Sequence, residues 1–167
     1  MPKLIRLKDG AYAWADDHFT QMADEDPIPA GDVILSLTRF MAEGEGLMAN
    51  RAVGVRLESN EAVEDLTYDL RRLPVIALSI PKFRDGRAYT AARLLRERFG
   101  YTGEIRAVGE VLREQARHMV RCGFDGFVPS DGSDPESWAA AVGRYRHVYQ
   151  RAADARQPAY VEREGAA

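Results

Sequence analysis

The sequence predicts an α/β domain built on a mostly parallel sheet, and two observations carry this prediction. Short apolar runs alternate with amphipathic segments five times between residues 33 and 150. Such alternation is typical of βα units, whose right-handed crossovers place parallel strands side by side. The length of 167 residues also suits one domain with its own core and is short for two. We expect repeated βα units forming an incomplete TIM-barrel-like sheet; the alternative is a flavodoxin-like open sheet.

An N-terminal β-hairpin is predicted to precede these units. Residues 4–15 hold two apolar runs separated by a Lys-Asp-Gly turn, and Asp-Gly is a strong signal for a tight hairpin. Residues 16–32 are acidic and contain two prolines, so we interpret them as an irregular connection. Residues 151–167 are polar and lack an apolar period. We therefore expect a single domain over residues 1–150, with its hairpin and connection at 1–32, followed by a flexible tail.

Each predicted strand is a short apolar run, and each predicted helix follows its strand after a few residues. The strands are placed at 33–37, 53–57, 75–80, 104–108 and 126–128. The helices are placed at 40–50, 60–73, 87–99, 110–121 and 135–150. Local signals agree with these boundaries, because Asn60 is a candidate N-cap, Gly100 a usual C-terminal stop and Pro135 a suitable first helical residue.

Composition and charge argue against several classes of function. The formal net charge is −3, whereas a general nucleic-acid binder is usually basic. No apolar run approaches the roughly 20 residues that span a bilayer, and the N-terminus lacks the apolar core of a signal peptide. Cys122 is the single cysteine, so no internal disulfide can form and a cytoplasmic location is expected. No cofactor-binding motif is visible and the three histidines share no metal-ligand spacing, so neither a cofactor nor a metal is predicted.

The loop at residues 82–87 is the first candidate site. It directly follows the predicted strand 75–80, and ligands bind α/β folds outside the carboxyl ends of parallel strands. Its basic residues supply positive charge and hydrogen-bond donors, so we expect an anion there. These residues are Lys82, Arg84 and Arg87. The alternative is a solvated turn in which Asp85 and Gly86 only make the bend.

Two arginines, Arg56 and Arg106, interrupt otherwise apolar strands. A charged residue in a buried strand needs a partner or a function. Because neighbouring strands lie about 4.8 Å apart, we expect Arg106 to converge with the basic residues of the 82–87 loop on one oxyanion-sized site. Arg56 is a second-tier member of that site. The alternative for each arginine is an ion pair with Glu58, Glu104 or Glu110, or exposure on an edge strand.

The turn at Gly109 and Glu110 completes the candidate set. Gly109 permits a tight turn or a close approach of two backbones. Glu110 is either a charge in the first turn of a helix or an acid that faces the ligand. Where no anion is bound, Asp85 or Glu110 is the carboxylate expected to balance the gathered positive charge.

Four charged segments together carry a resemblance to a known family. They read Pro-Lys-Phe-Arg-Asp-Gly-Arg at 81–87, Ala-Arg-Leu-Leu-Arg-Glu at 92–97, Gly-Glu-Ile-Arg-Ala-Val-Gly at 103–109 and Arg-Cys-Gly-Phe-Asp at 121–125. With these segments the chain resembles the bacterial domain-of-unknown-function 934 family, over residues 30–150. Members are commonly labelled as oxidoreductases involved in sulfite reduction, so the resemblance implies a place beside sulfite reductase in sulfate assimilation. It supplies no catalytic residue.

Competing functions follow from these observations. The first is an accessory protein of assimilatory sulfate or sulfite reduction, which docks to sulfite reductase or handles its oxyanion. The alternative is a small stand-alone enzyme that acts on an anionic metabolite with Lys82 or Glu110 as acid or base. A purely structural subunit is the third interpretation. Since an incomplete barrel exposes strand edges, a homodimer is also expected.

Overall fold

A mostly parallel sheet forms the centre of the fold in the computed structural model, which describes residues 3–154 and 156–165. Its eight strands are β1 (Leu4–Lys8), β2 (Ala11–Ala15), β3 (Phe19–Gln21), β4 (Asp32–Ser36), β5 (Val53–Leu57), β6 (Val75–Ile80), β7 (Glu104–Gly109) and β8 (Gly126–Phe127). The described residues also form the α-helices α1 (Leu37–Met48), α2 (Arg87–Arg93), α3 (Ala116–Cys122), α4 (Pro135–Gly143) and α5 (Ala159–Glu164).

The order of strands across the sheet is β2-β1-β8-β7-β6-β5-β4-β3. Strands β3 to β8 run parallel to one another, and β1 is antiparallel to both β2 and β8. The predicted α/β fold with a mostly parallel sheet and an N-terminal hairpin is confirmed. The five predicted units lie side by side in chain order, whereas a flavodoxin-like sheet places its first strand between the second and third. The strand order therefore differs from that of the flavodoxin-like alternative.

Among the described residues, helices cover one face of the sheet and leave the other face free; we call the latter the helix-free face. Side chains alternate between the two faces because successive residues of a strand point in opposite directions. On the covered face Val55, Leu78 and Ile105 join the main core, to which α1 to α4 contribute. On the helix-free face Ile34 and Val75 belong to a smaller, separate apolar cluster. A ligand therefore has access to a sheet face only on the helix-free side.

The α-helix predicted at residues 60–73 is not present, and this prediction is wrong. The segment contains a short 3-10 helix, Val63–Leu66, followed by turns. Leu66, Leu70 and Leu73 are buried there. Apolar residues spaced three and four apart serve successive tight turns as well as they serve an α-helix, so the spacing alone does not distinguish the two.

Three further elements differ from the prediction. Strand β3 lies inside the segment predicted as an irregular connection; it is three residues long, carries no apolar run and is held by its parallel pairing with β4. The helix predicted at 135–150 ends at Gly143. The predicted tail contains α5, and Asp154 within it pairs with Arg121 at 3.0 Å. The flexibility of this tail stays a prediction.

The edges of the sheet are β2 on one side and β3 on the other. The expected homodimer stays a prediction, motivated by these two edges. Among the described residues, every helix is too short or too polar to cross a membrane.

Candidate functional site

Two arginines lie in one row across the helix-free face. The strand register pairs Arg56 of β5 with Ala77 of β6, and Ala77 with Arg106 of β7. Two strand spacings, about 10 Å, therefore separate the arginine backbones. Because alanine is small, both long side chains have room to extend over β6.

Arg106 is buried and bound by two carboxylates. Its Nε donates to Oε1 of Glu104 at 2.6 Å, while Nη1 and Nη2 donate to Oδ2 and Oδ1 of Asp17 at 2.8 and 3.1 Å. The side chain is only 3% exposed. Glu104 also accepts a hydrogen bond from Nε of Arg6 at 2.9 Å. The structure thus has the ion pair with Glu104 that was the alternative for Arg106, and it adds Asp17 as a second partner.

The contact between Asp17 and Arg106 shows how strongly the sheet curls. Asp17 precedes β3 at one edge, and Arg106 lies on β7, four strands away. Four strand spacings of a flat sheet amount to about 19 Å, which exceeds the combined reach of the two side chains. The helix-free face is therefore concave, as in a curled half-barrel. Glu104 fits within this concavity because a Cβ at the facing Gly126 would lie 2.5 Å from its Oε1.

A cavity of about 460 Å³ lies on this concave face, at the carboxyl ends of β5 to β7. We call it the concave pocket. Its lining combines charged and hydroxyl groups with an apolar wall. The polar lining includes Asp17, Arg56, Glu58, Ser79 and Arg106, and the apolar wall consists of Phe19, Val108 and Val128.

Arg56 is the cation of this pocket that is not enclosed by carboxylates. Its Nε lies 2.9 Å from Oε1 of Glu58, which is the ion pair that was the alternative for this residue. The buried Nε–H nevertheless has no hydrogen-bond partner among the described residues. The side chain is 27% exposed. Glu58 therefore balances the charge of Arg56 without taking up this hydrogen-bond donor.

The basic loop at residues 82–87 lines a separate surface cavity. Within it, Oδ1 and Oδ2 of Asp85 accept hydrogen bonds from Nε and Nη2 of Arg87 at 2.9 and 2.6 Å. These hydrogen bonds hold the pKa of Asp85 well below its usual range, so the carboxylate remains ionised at neutral pH. The loop therefore contains its own anion, the Asp85 carboxylate, which is hydrogen-bonded to the guanidinium group of Arg87. Gly86 has an ordinary φ of −87° and open space around it, so the bend does not require a glycine there.

Glu110 and Gln115 fix the backbone of this loop. An Oε2 of Glu110 accepts the Phe83 N–H at 2.7 Å, and Nε2 of Gln115 donates to the Phe83 carbonyl at 3.2 Å. Gly109 adopts a φ of 98°, and a Cβ there would lie 2.4 Å from the carbonyl oxygen of Ile80. The close backbone approach predicted for Gly109 is confirmed, whereas Glu110 holds the loop in place.

Comparison with known families decides the classification. Residues 54–160 match the model of the family described as "Bacterial protein of unknown function (DUF934)". The chain belongs to the DUF934 family. The family predicted from the sequence is thereby confirmed. The matched part of this DUF934 protein includes Arg56, Arg106 and the 82–87 loop but not Asp17. No curated protein matches the sequence.

In this DUF934 protein the predicted site residues fall into two separate groups. Arg56, Arg106 and Gly109 line the concave pocket, whereas the 82–87 loop lines its own cavity with Lys82 and the rest of its charges. Arg106 therefore lies in a different cavity from Lys82, Arg84 and Arg87, although Arg87 also lines a small cavity with Glu58 and Ser79. The reason is strand alternation: Arg106 projects from the helix-free face three residues before the end of β7, whereas the loop continues from Ile80, which packs on the covered face.

Several polar residues of the concave pocket were absent from the sequence-based set, among them Asp17 and Ser79. Asp17 lies in the segment interpreted as an irregular connection, and no local pattern links it to Arg106, which is 89 positions away. Ser79 could have been found, because it alternates with the buried Ile76, Leu78 and Ile80 along β6 and must face the other side of the sheet.

Proposed function

We propose that this DUF934 protein is an anion-binding accessory protein of assimilatory sulfate and sulfite reduction, and that its anion site is the concave pocket around Arg56. The observation that carries the proposal is the guanidinium group of Arg56, which lines the pocket with a buried Nε–H that no described residue accepts. Arginine binds oxyanions through directed, charge-assisted hydrogen bonds. The Arg56 side chain is 27% exposed, so the guanidinium group is accessible to a ligand in the pocket, and an oxyanion bound to it would stabilise the folded protein.

The neighbouring groups limit the expected affinity. Arg106 is already bound by Asp17 and Glu104, so its charge is neutralised and it contributes mainly by shaping the pocket. Ser79 adds a hydroxyl donor to the lining. One guanidinium group and one hydroxyl group together support binding of a small oxyanion with a dissociation constant of about 1 mM.

The position of the pocket in the fold supports the same proposal. The strands from β4 to β8 follow one another in order, and their helices all pack on one face, as in one part of a TIM barrel. We take the fold to be an incomplete TIM-barrel-like sheet on these grounds. Barrel enzymes and binding proteins of this type hold their ligands at the carboxyl ends of the strands, which is where this pocket lies.

The link to sulfite rests on the family resemblance. The resemblance implies a place beside sulfite reductase, and we expect a cytoplasmic homodimer that docks to that enzyme or passes it an oxyanion. The stand-alone enzyme with Lys82 or Glu110 as acid or base gains no support, because Glu110 accepts a backbone hydrogen bond and Lys82 lies outside the concave pocket.

Titration calorimetry with sulfite and sulfate tests the anion site. We expect the wild-type protein to bind these ions at about millimolar concentration, and Arg56→Gln to reduce the affinity at least about tenfold because it removes the guanidinium group that would bind the anion. Lys82→Ala and Arg84→Ala are expected to bind like the wild type, because neither residue lines the concave pocket.

Arg71→Ala is the matched control, since it removes an exposed arginine that lies outside the pocket. Unchanged binding in Arg56→Gln would contradict the proposal, and so would loss of binding in the Lys82 variant. The accessory role has its own test, sedimentation of the protein with purified sulfite reductase. Absence of a complex, together with no effect on sulfite turnover, would refute that role while leaving the anion site intact.

A further inference from the structure

We infer that the preferred ligand of the concave pocket is an organic monoanion, a sulfonate or carboxylate attached to an apolar body, rather than a bare inorganic oxyanion. This inference rests on the proposed anion site at Arg56 and specifies the class of its ligand. Three features of the pocket support it: its size, its apolar wall and its balance of charges.

The size of the pocket exceeds what a bare oxyanion needs. Its volume of about 460 Å³ falls in the range of roughly 300–1,000 Å³ that is typical of pockets for organic ligands. A water molecule takes up about 30 Å³, and sulfite or sulfate occupies only a few such volumes. A bare ion at Arg56 would therefore leave most of the pocket without contacts to it.

The apolar wall would contribute nothing to the binding of an inorganic ion. Phe19 and Val128 are partly buried and pack against the apolar cluster that includes the buried Val108, and all three residues line the pocket. Removing such surface from water is favourable in proportion to the apolar area that a ligand covers. A hydrated ion covers none of it, whereas a phenyl or alkyl body would.

The charges in the lining favour a single negative charge on the ligand. The lining contains two arginines, Arg56 and Arg106, and two carboxylates, those of Asp17 and Glu58, so its formal net charge is zero. A dianion would meet these carboxylates at close range with only one incompletely paired guanidinium group to stabilise it. A monoanionic head group requires no more than that one group.

The two halves of such a ligand match two parts of the pocket. Arg56 and Ser79 lie on β5 and β6, whereas Val108 and Val128 lie on β7 and directly after β8. A head group on β5 and β6 therefore places an attached body across the sheet, against the valines. The spacing between neighbouring strands, about 4.8 Å, is close to the width of an aromatic ring.

Calorimetry with matched probes tests this inference on the full-length protein. The probes are benzenesulfonate, benzoate, methanesulfonate, sulfite, sulfate and the neutral benzenesulfonamide. We expect benzenesulfonate or benzoate to bind at least about tenfold more tightly than methanesulfonate, sulfite or sulfate, with a negative heat-capacity change that marks apolar burial. Arg56→Gln should remove this binding, Val128→Thr should weaken it, and Arg71→Ala should leave it unchanged.

Other results separate the failure of this inference from the failure of the proposed site. Sulfite or sulfate binding through Arg56 as tightly as benzenesulfonate would overturn the organic ligand and leave the anion site standing. Equal binding of benzenesulfonamide would overturn the requirement for a charged head group. Absence of binding by every anion would overturn both proposals.

Discussion

Replacing Arg106 with methionine is expected to lower the free energy of unfolding by about 3–5 kcal/mol. Methionine keeps much of the length and volume of the side chain but removes the cation that Asp17 and Glu104 share. Both carboxylates would then remain on the concave face without that partner, and Arg6 would be left to balance Glu104. Urea denaturation of the wild type and the variant measures the difference.

A triple variant supplies the control for this prediction. When Arg106→Met is combined with Asp17→Asn and Glu104→Gln, no uncompensated carboxylate remains, and we expect a large part of the lost stability to return. A loss below about 1 kcal/mol in the single variant would contradict the account, because it would place these ion pairs among exposed, screened ones.

Replacing Gly109 with alanine is the second substitution with a large expected effect. The φ of 98° disfavours any residue with a Cβ, which costs about 1–3 kcal/mol, and the added carbon would lie 2.4 Å from the Ile80 carbonyl oxygen. That oxygen also accepts the Glu110 N–H at 2.7 Å. Relief of the clash would displace Glu110, which holds the loop through Phe83. We expect a lower unfolding midpoint in urea and faster hydrogen exchange at the Phe83 amide.

Gly86→Ala is the matched control, because Gly86 has a φ of −87° and no atom of the described residues lies within 4 Å of the position of a new Cβ. Its stability should stay within about 0.5 kcal/mol of the wild type. Equal effects of the two substitutions would show that the close approach at Gly109 has no special importance for stability.

Local patterns predicted the sheet well and the connections less well. The strands at β4 to β7 are runs of branched and aliphatic residues that are buried on both faces, and such runs are distinct in a sequence. Strand β3 has no comparable pattern, since Phe19–Gln21 becomes a strand only through its pairing with β4. The segment at 60–73 was interpreted as a helix because its leucines have a spacing that tight turns share.

The arginines of the candidate site were predicted from the sequence, whereas their partners were predicted only in part. Charged residues within apolar strands are visible in a sequence, so Arg56 and Arg106 were found. The face to which they point follows from alternation along the strand, which places Arg106 opposite the core residues Ile105 and Ala107. The partnership of Arg106 with Asp17 depends on the curl of the whole sheet, which no local pattern encodes.

Anions are expected to bind on the concave face through Arg56 and not at the basic loop. Nuclear magnetic resonance spectra of the 15N-labelled protein, recorded during titration with benzenesulfonate and with sulfite, locate the site. We expect the backbone amide signals of Arg56, Ser79, Gly109 and Val128 to shift with a common dissociation constant, and the Arg56 Nε–H signal to shift with them. Shifts centred on residues 82–87, or no shifts at either place, would contradict this expectation.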